Sequence, residues 1–235
     1  MIPKFDQYYW SAQYAPALLT SIPLAIIADI FAKQVGVDIQ TVKTIWETVQ
    51  VTPALFWASL SFLLIQINIY LSKMLFQPLE EQLSTTNMLL YQNQEMGKGV
   101  KNAIHLRIKT DFSITLLNQQ EEQADPLEAR RWIVEAVSRI KERVRENKMV
   151  RRRNIAYGFM RNLMGGALLA TGFSVIGYFL NRYLEGRTTI FIACGVAYGF
   201  LCLMNRPLIR HFGREYAKTL FQQYMASSTT QPAVT

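Results

Sequence analysis

At 235 residues the chain has room for one or two ordinary domains, and an apolar share of 50% does not by itself separate a soluble fold from a membrane protein. A net charge of +8 and a pI near 9.5 call for an acidic counterpart such as anionic lipid or phosphate. Two cysteines and two histidines leave no basis for a disulfide framework or a His/Cys/carboxylate metal cluster, so no cofactor and no catalytic residue is expected.

The charges are unevenly spread. Stretches free of Asp, Glu, Lys and Arg run from Tyr8 to Ala28, Val51 to Ser72, Asn162 to Asn181 and Thr188 to Asn205. Each is about 18 to 22 residues, the length at which a helix crosses a hydrocarbon core of roughly 30 Å. The expected fold class is an all-α membrane protein with four transmembrane helices. Its expected domains are a helix pair over 1–79, a basic cytoplasmic segment over 80–160, a second pair with an amphipathic cytoplasmic end over 161–225, and a disordered tail over 226–235.

Met1 to Gln13 carries only Lys4 and Asp6 and lacks the basic leader of a cleaved signal, so the first span is expected to be retained. Within it Pro16 and Pro23, seven apart, free backbone carbonyls and predict two kinks. Thr20 and Ser21 lie in this span and Asp29 near its outer end; Gln66 and Asn68 fall near the middle of the second. If copies assemble around an axis, Asp29, Gln66 and Asn68 are the candidates to face water, with Asp29 favouring cations; interhelical hydrogen bonding is the commoner use of such amides.

Gln77-Pro78-Leu79 is expected to end the second span, since proline restrains the residue before it and donates no backbone hydrogen bond. The middle segment, Glu80 to Arg161, holds 15 Lys/Arg against 11 Asp/Glu. Its polar opening, Glu80 to Gly99, shows no strong period. In "AIHLRIKTDFSITLL" Ile104, Leu106 and Ile108 alternate with His105, Arg107 and Lys109, and Phe112, Ile114 and Leu116 alternate in turn, which predicts a small β-hairpin. Asp125 then reads as an N-cap, with Pro126 at the first helical position and Glu128 in the first turn. Ile133, Val137, Ile140 and Val144 recur at helical spacing beneath a charged arc. With no proline from Leu127 to Arg206, this helix is expected to run into the third span as one rod of about 58 residues, on the order of 85 Å, that can carry a tilt or rotation; Tyr157-Gly158 or Gly165-Gly166 would be its bend.

Arg139 to Arg161 holds nine basic residues against two acidic ones. Arg151, Arg152, Arg153 and Arg161 would stand where the third span leaves the membrane, attracted to an anionic inner leaflet by about 1 kcal/mol each. Arg206 and Arg210, followed by Arg214 and Lys218, repeat the pattern after the fourth span, whereas Lys33 to Gln50 and Asn181 to Arg187 are poor in charge. The positive-inside rule therefore places both termini and the middle segment in the cytoplasm.

The last two spans are rich in small residues. Gly165, Gly166, Gly172 and Gly177 mark the third, and Gly195 with Gly199 forms a GxxxG in the fourth, which predicts close helix packing within the chain or between copies. Cys194 and Cys202, eight apart on one helix, are too distant for a disulfide. His211 reads as a membrane-surface residue. A basic face on Arg130 to Arg153 could hold phosphate or a nucleotide signal, but Trp132 and Tyr157 are the nearest stacking residues, so no specific nucleic-acid partner is expected.

Four spans with paired cytoplasmic termini, a basic segment between spans two and three, and no catalytic motif together resemble the small multi-pass membrane effectors of bacterial anti-phage systems. The resemblance is architectural; "ENKMVRRRNIAYGFMRNL" matches no defined motif, and no family residue is carried over. It implies a homo-oligomeric protein of the bacterial inner membrane in which a cytoplasmic protein or nucleotide signal changes membrane permeability. The competing expectation is a non-conducting anchor or scaffold that recruits a cytoplasmic partner through Gln82 to Val150. A small transporter is poorly supported, because no inverted repeat is evident.

Overall fold

The computed structural model describes residues 8–34, 36, 53–76, 84–184 and 188–227, with side chains from 58 to 74 in the second long helix. A π-helical turn at Tyr9–Tyr14 leads into α1 (Ala15–Gln34), and α2 follows at Pro53–Phe76. Next come α3 (Ser84–Leu89), α4 (Lys98–Phe112), α5 (Gln119–Ala124), α6 (Pro126–Arg143), α7 (Lys148–Tyr183), α8 (Thr189–Leu203) and α9 (Asn205–Ala226). Among the described residues there is no strand. The expected chain break at Gln77-Pro78-Leu79 and most of the expected disordered tail lie outside them.

Contacts divide the chain into two compact units. The first is residues 1–76 with 158–208 and the second 77–157 with 209–235, so α7 belongs to both and the division falls between Tyr157 and Gly158. Residues 209–227, which the sequence grouped with the last helix pair, pack in the second unit.

Among the described residues two helices are long and apolar enough to cross a membrane, Tyr9–Gln34 and Lys148–Tyr183. A third is reached if Thr189–Leu203 and Asn205–Ala226, bent by 56° from one another, count as one span. Against the expected four, the described residues thus give two to three, and two features set the last span apart. The 15 residues of α8 rise only about 22 Å, and α9 spends its apolar residues, Tyr216, Ala217, Leu220, Phe221 and Tyr224, on the core of the second unit. In α2 the apolar described stretch is Ala58–Met74.

The second unit replaces the predicted hairpin with α4. Ile104 and Ile108, four apart, are buried on one helical face while Leu106 is 67% exposed, so the alternation in sequence came from a single apolar residue on the solvent side. Ser113, at φ 57, closes the helix in the left-handed conformation. In α6 the Asp125 carboxylate accepts the Glu128 N–H at 2.9 Å and Pro126 occupies the first turn. Ala129, Ile133, Ala136, Val137 and Ile140 face the core with α4 and α9.

The expected rod is interrupted. The chain leaves helical geometry between Arg143 and Lys148, where the Asn147 side chain accepts the N–H groups of Met149 at 2.9 Å and Val150 at 3.2 Å and so caps a new helix. Asn147 also donates to Gln223 at 2.8 Å, which ties the break to α9. From there α7 runs 36 residues, on the order of 54 Å, without interruption at Tyr157-Gly158 or Gly165-Gly166.

Candidate functional site

In the first unit, prolines decide where polar side chains are needed. Pro16 lacks an N–H, so the carbonyl of Ala12, four residues earlier, has no helical donor. The structure supplies one from α7, where Asn162 Nδ2 donates to Ala12 O at 2.6 Å. The widened turn before it carries the Ala15 N–H to the Trp10 carbonyl. Pro23 leaves the Leu19 carbonyl in the same position, and the Tyr198 hydroxyl of α8 donates to it. Each backbone break left by a proline in α1 is therefore closed by a polar side chain from another apolar helix, in a buried contact at Ala12 and an exposed one at Leu19.

Between these two points lies a third polar contact. Asn68 of α2, buried, donates from Nδ2 to Thr20 Oγ1 at 3.0 Å, and the threonine hydroxyl donates to Pro16 O at 2.9 Å. Gly165 and Gly166 of α7 permit the approach. A Cβ on Gly165 would overlap the Asn68 carbonyl oxygen and stand 2.8 Å from Ser72 N. One on Gly166 would lie 2.5 Å from both Asn68 Nδ2 and Thr20 Oγ1. Gly177 plays the corresponding part for α8, since its missing side chain is where the buried Phe191 ring sits.

The candidate residues separate accordingly. Asn68, Gly165 and Gly166 converge on one packed contact. Gln66, two residues from Asn68, is exposed on the other side of α2, and Asp29 is exposed and paired with Lys33 at 2.7 Å. These three polar groups do not come together within one chain. Gly172 and Gly199 have open space where a Cβ would stand, and Gly195 has only ordinary contact with Ser174. Arg151 and Arg152 are exposed, Arg153 meets Glu215 at 3.6 Å, Arg161 is half-buried on α7, and Arg206 and Arg210 are exposed on α9.

The second unit holds two buried charge clusters that the sequence did not single out. Asp111, 3% exposed, accepts the Tyr224 hydroxyl at 3.0 Å and lies 3.2 Å from Arg107 Nε and 3.4 Å from an Arg143 nitrogen. Arg107 also donates to the Met225 carbonyl at 2.7 Å and to the Ser227 carbonyl, and stacks over the Tyr224 ring, which caps the end of α9. Burial, with the Asp111 hydrogen bond and charge, pushes the Tyr224 hydroxyl well above its ordinary pKa.

In the other cluster, fully buried Lys101 donates to the carbonyls of Leu90 and Asn93, and Glu122 accepts the N–H groups of Tyr91 at 2.8 Å and Gln92 at 3.1 Å. His105 stands 3.3 Å from the Tyr91 hydroxyl. Burial lowers the pKa of both Lys101 and His105. These contacts are spent on fixing residues 90–93, with every charge matched to a backbone group or a hydroxyl. Among the described residues no group of three or more His, Cys, Asp and Glu side chains is placed to hold a metal ion.

Asn162 and Tyr198 escaped the reading of the sequence, although a signal existed: a proline inside an apolar helix requires a donor for the carbonyl four residues earlier, and spans three and four offer few. Comparison with protein-family models, with curated proteins and with solved structures returns no match to this chain.

Proposed function

We propose that the chain is a multi-pass protein of the bacterial cytoplasmic membrane, with both termini inside, in which α1, α2, α7 and the α8 segment all cross the bilayer. Copies associate, and a signal received by the second, cytoplasmic unit changes the permeability formed by the first. The observation that carries this reading is α7 itself: Val150 and Tyr157 are buried in the core of the second unit, Met164, Ala167 and Ala170 in the first, on one unbroken helix. A helix held at both ends transmits a displacement that a loop would absorb. Following the resemblance to anti-phage effectors, the signal is taken to be a cytoplasmic protein or nucleotide produced during infection.

A second reading, a non-conducting anchor, draws on the use made of the intramembrane polar groups: Asn68 is committed to Thr20 and Asp29 to Lys33. One experiment separates the two. Cells expressing the full chain are followed with a potential-sensitive dye, and proteoliposomes with trapped carboxyfluorescein. The permeability reading expects depolarisation and dye release that are lost when four glycines are inserted between Gly158 and Phe159, with the protein still in the membrane fraction. A sealed membrane in both assays, together with a soluble partner that co-purifies, rejects it for the anchor.

A further inference from the structure

The described part of α2 sorts its polar side chains onto two faces. Asn68 and Ser72 are buried against the other helices of the first unit, next to Ile65. Ser59, Gln66, Tyr70 and Lys73 are exposed on the opposite side, interspersed with exposed Phe62 and Leu63. At 100° per residue, all of these exposed positions fall within about 60° of Gln66, which is therefore the centre of the face farthest from its own chain. Ser59, Gln66 and Lys73 are spaced by seven, the period that keeps residues on the seam of two left-handed crossing helices.

Gln66 is also the fourteenth residue of the 24 in Pro53–Phe76. Either end of the helix is thus roughly 15 to 20 Å away, beyond the reach of a glutamine side chain toward the headgroups. A primary amide carries two donors and an acceptor, and hydrocarbon satisfies neither. The helix's own carbonyls do not relieve it, because they are engaged in the helical ladder. Lipid alone is therefore a poor cover for this face, whereas the amide is complementary to a second amide at equal depth.

Copies of one chain insert in one orientation, so α2 of each presents Gln66 at the same depth. We propose that the face of α2 centred on Gln66 is where a second copy of this chain docks, α2 against α2 in parallel, with the two Gln66 amides exchanging hydrogen bonds. Ser59 lies on the seam one heptad toward one end of the helix. Lys73, one heptad toward the other, is close enough to the end of α2 for its ammonium to reach headgroup phosphates rather than its counterpart. The proposal rests on α2 crossing the membrane, but not on the assembled copies conducting anything.

The test is oxidative cross-linking of the full chain in native membranes, in a Cys194→Ser/Cys202→Ser background, with copper phenanthroline and non-reducing gels. Gln66→Cys and Ser59→Cys are expected to give disulfide-linked dimer several-fold above Leu64→Cys and Ile67→Cys, which sit about 160° and 100° round the helix, and above Val196→Cys on α8. In a reversible readout, resonance energy transfer between labelled copies in proteoliposomes, Gln66→Leu should weaken association about three- to tenfold while Gln66→Asn retains most of it. Uniform cross-linking around α2, a maximum at Val196→Cys, or unchanged association of Gln66→Leu would overturn the proposal. So would modification of Gln66→Cys by a membrane-impermeant thiol reagent without cross-linking, which would assign the face to water. Dye retention alongside cross-linking at Gln66→Cys would reject the permeability reading and leave this interface standing.

Discussion

Gly165→Ala tests whether α7 touches α2 as closely as the structure places it. The added Cβ would meet backbone, the Asn68 carbonyl oxygen and Ser72 N at 2.8 Å, with Ser72 Cβ at 2.9 Å. Backbone atoms in mid-helix cannot rotate aside, so the helices must separate by a substantial fraction of an ångström and the Asn68–Thr20 hydrogen bond at 3.0 Å stretches with them. Overpacking of this kind costs about 1–3 kcal/mol, against which alanine returns up to about 1 kcal/mol of helix propensity. The net loss is about 1–2 kcal/mol, which corresponds to roughly 2–8 °C in melting temperature for a chain of this size. Gly172→Ala meets open space and should leave the melting temperature unchanged or slightly raised. Gly166→Ala should fall between, since the atoms it meets belong to the Asn68 and Thr20 side chains, which can turn away and forfeit one hydrogen bond. The assay is the monodisperse fraction of detergent-purified protein after heating, read by size exclusion. Equal melting of Gly165→Ala and Gly172→Ala would refute the close contact.

Three further outcomes probe the second unit. Ile104→Ala should cost about 2–5 kcal/mol as a buried truncation, whereas Leu106→Gln should stay within about 0.5 kcal/mol; loss of stability in the second variant would restore the strand reading of this stretch. Asp111→Asn leaves Arg107 and Arg143, both mostly buried, without their carboxylate, and should cost about 3 kcal/mol, visible as faster amide exchange in both Lys98–Phe112 and residues 209–227; exchange confined to one of them would contradict the shared cluster. His105, facing Tyr91 and near Lys101 and Glu122, has a folded-state pKa below its ordinary 6.5, so the unfolded chain binds the proton more readily. Stability of this unit should therefore fall as pH drops below about 6.5 and level off below the folded value, with His105→Gln flattening the profile of amide exchange between pH 7.5 and 5.5.

What the sequence revealed and what it hid follow from the range of each interaction. Helix existence, the Asp125 cap and the buried row Ile133, Val137 and Ile140 were legible because they depend on neighbours within a turn or two. The hairpin was misread because period two and period 3.6 agree at Ile104 and Ile108, and only the environment of Leu106 distinguishes them. The break at Val144–Asn147 carries no proline or glycine; its signal is Asn147, whose capping role needs Met149 and Val150 on one side and Gln223 on the other. Hydropathy sees α8 and the start of α9 as one apolar run and is blind to the bend between them, where Asn205 donates to the Cys202 carbonyl at 2.6 Å. Which polar residues lie within the apolar helices is plain from composition, but their division between packing and exposure depends on rotation about α2, which a sequence without a partner helix does not fix.

The two prolines of α1 connect these local facts to function. A helix with two carbonyls released by Pro16 and Pro23 is less able to hold its shape alone than one with a full ladder, and here both carbonyls are held by side chains of α7 and α8. The shape of α1 is thus conditional on where those helices stand. α7 is also the helix whose first residues are packed in the second unit, so within the proposed function a displacement of α7 would act on the Asn162–Ala12 hydrogen bond, 2.6 Å long, as well as on the apolar packing around it. The polar contacts at Ala12 and Thr20, one made by Asn162 of α7 and the other packed on Gly166 of α7, are then points at which movement of α7 reaches α1 and α2, and the exposed face of α2 centred on Gln66 is where one chain would pass that movement to the next.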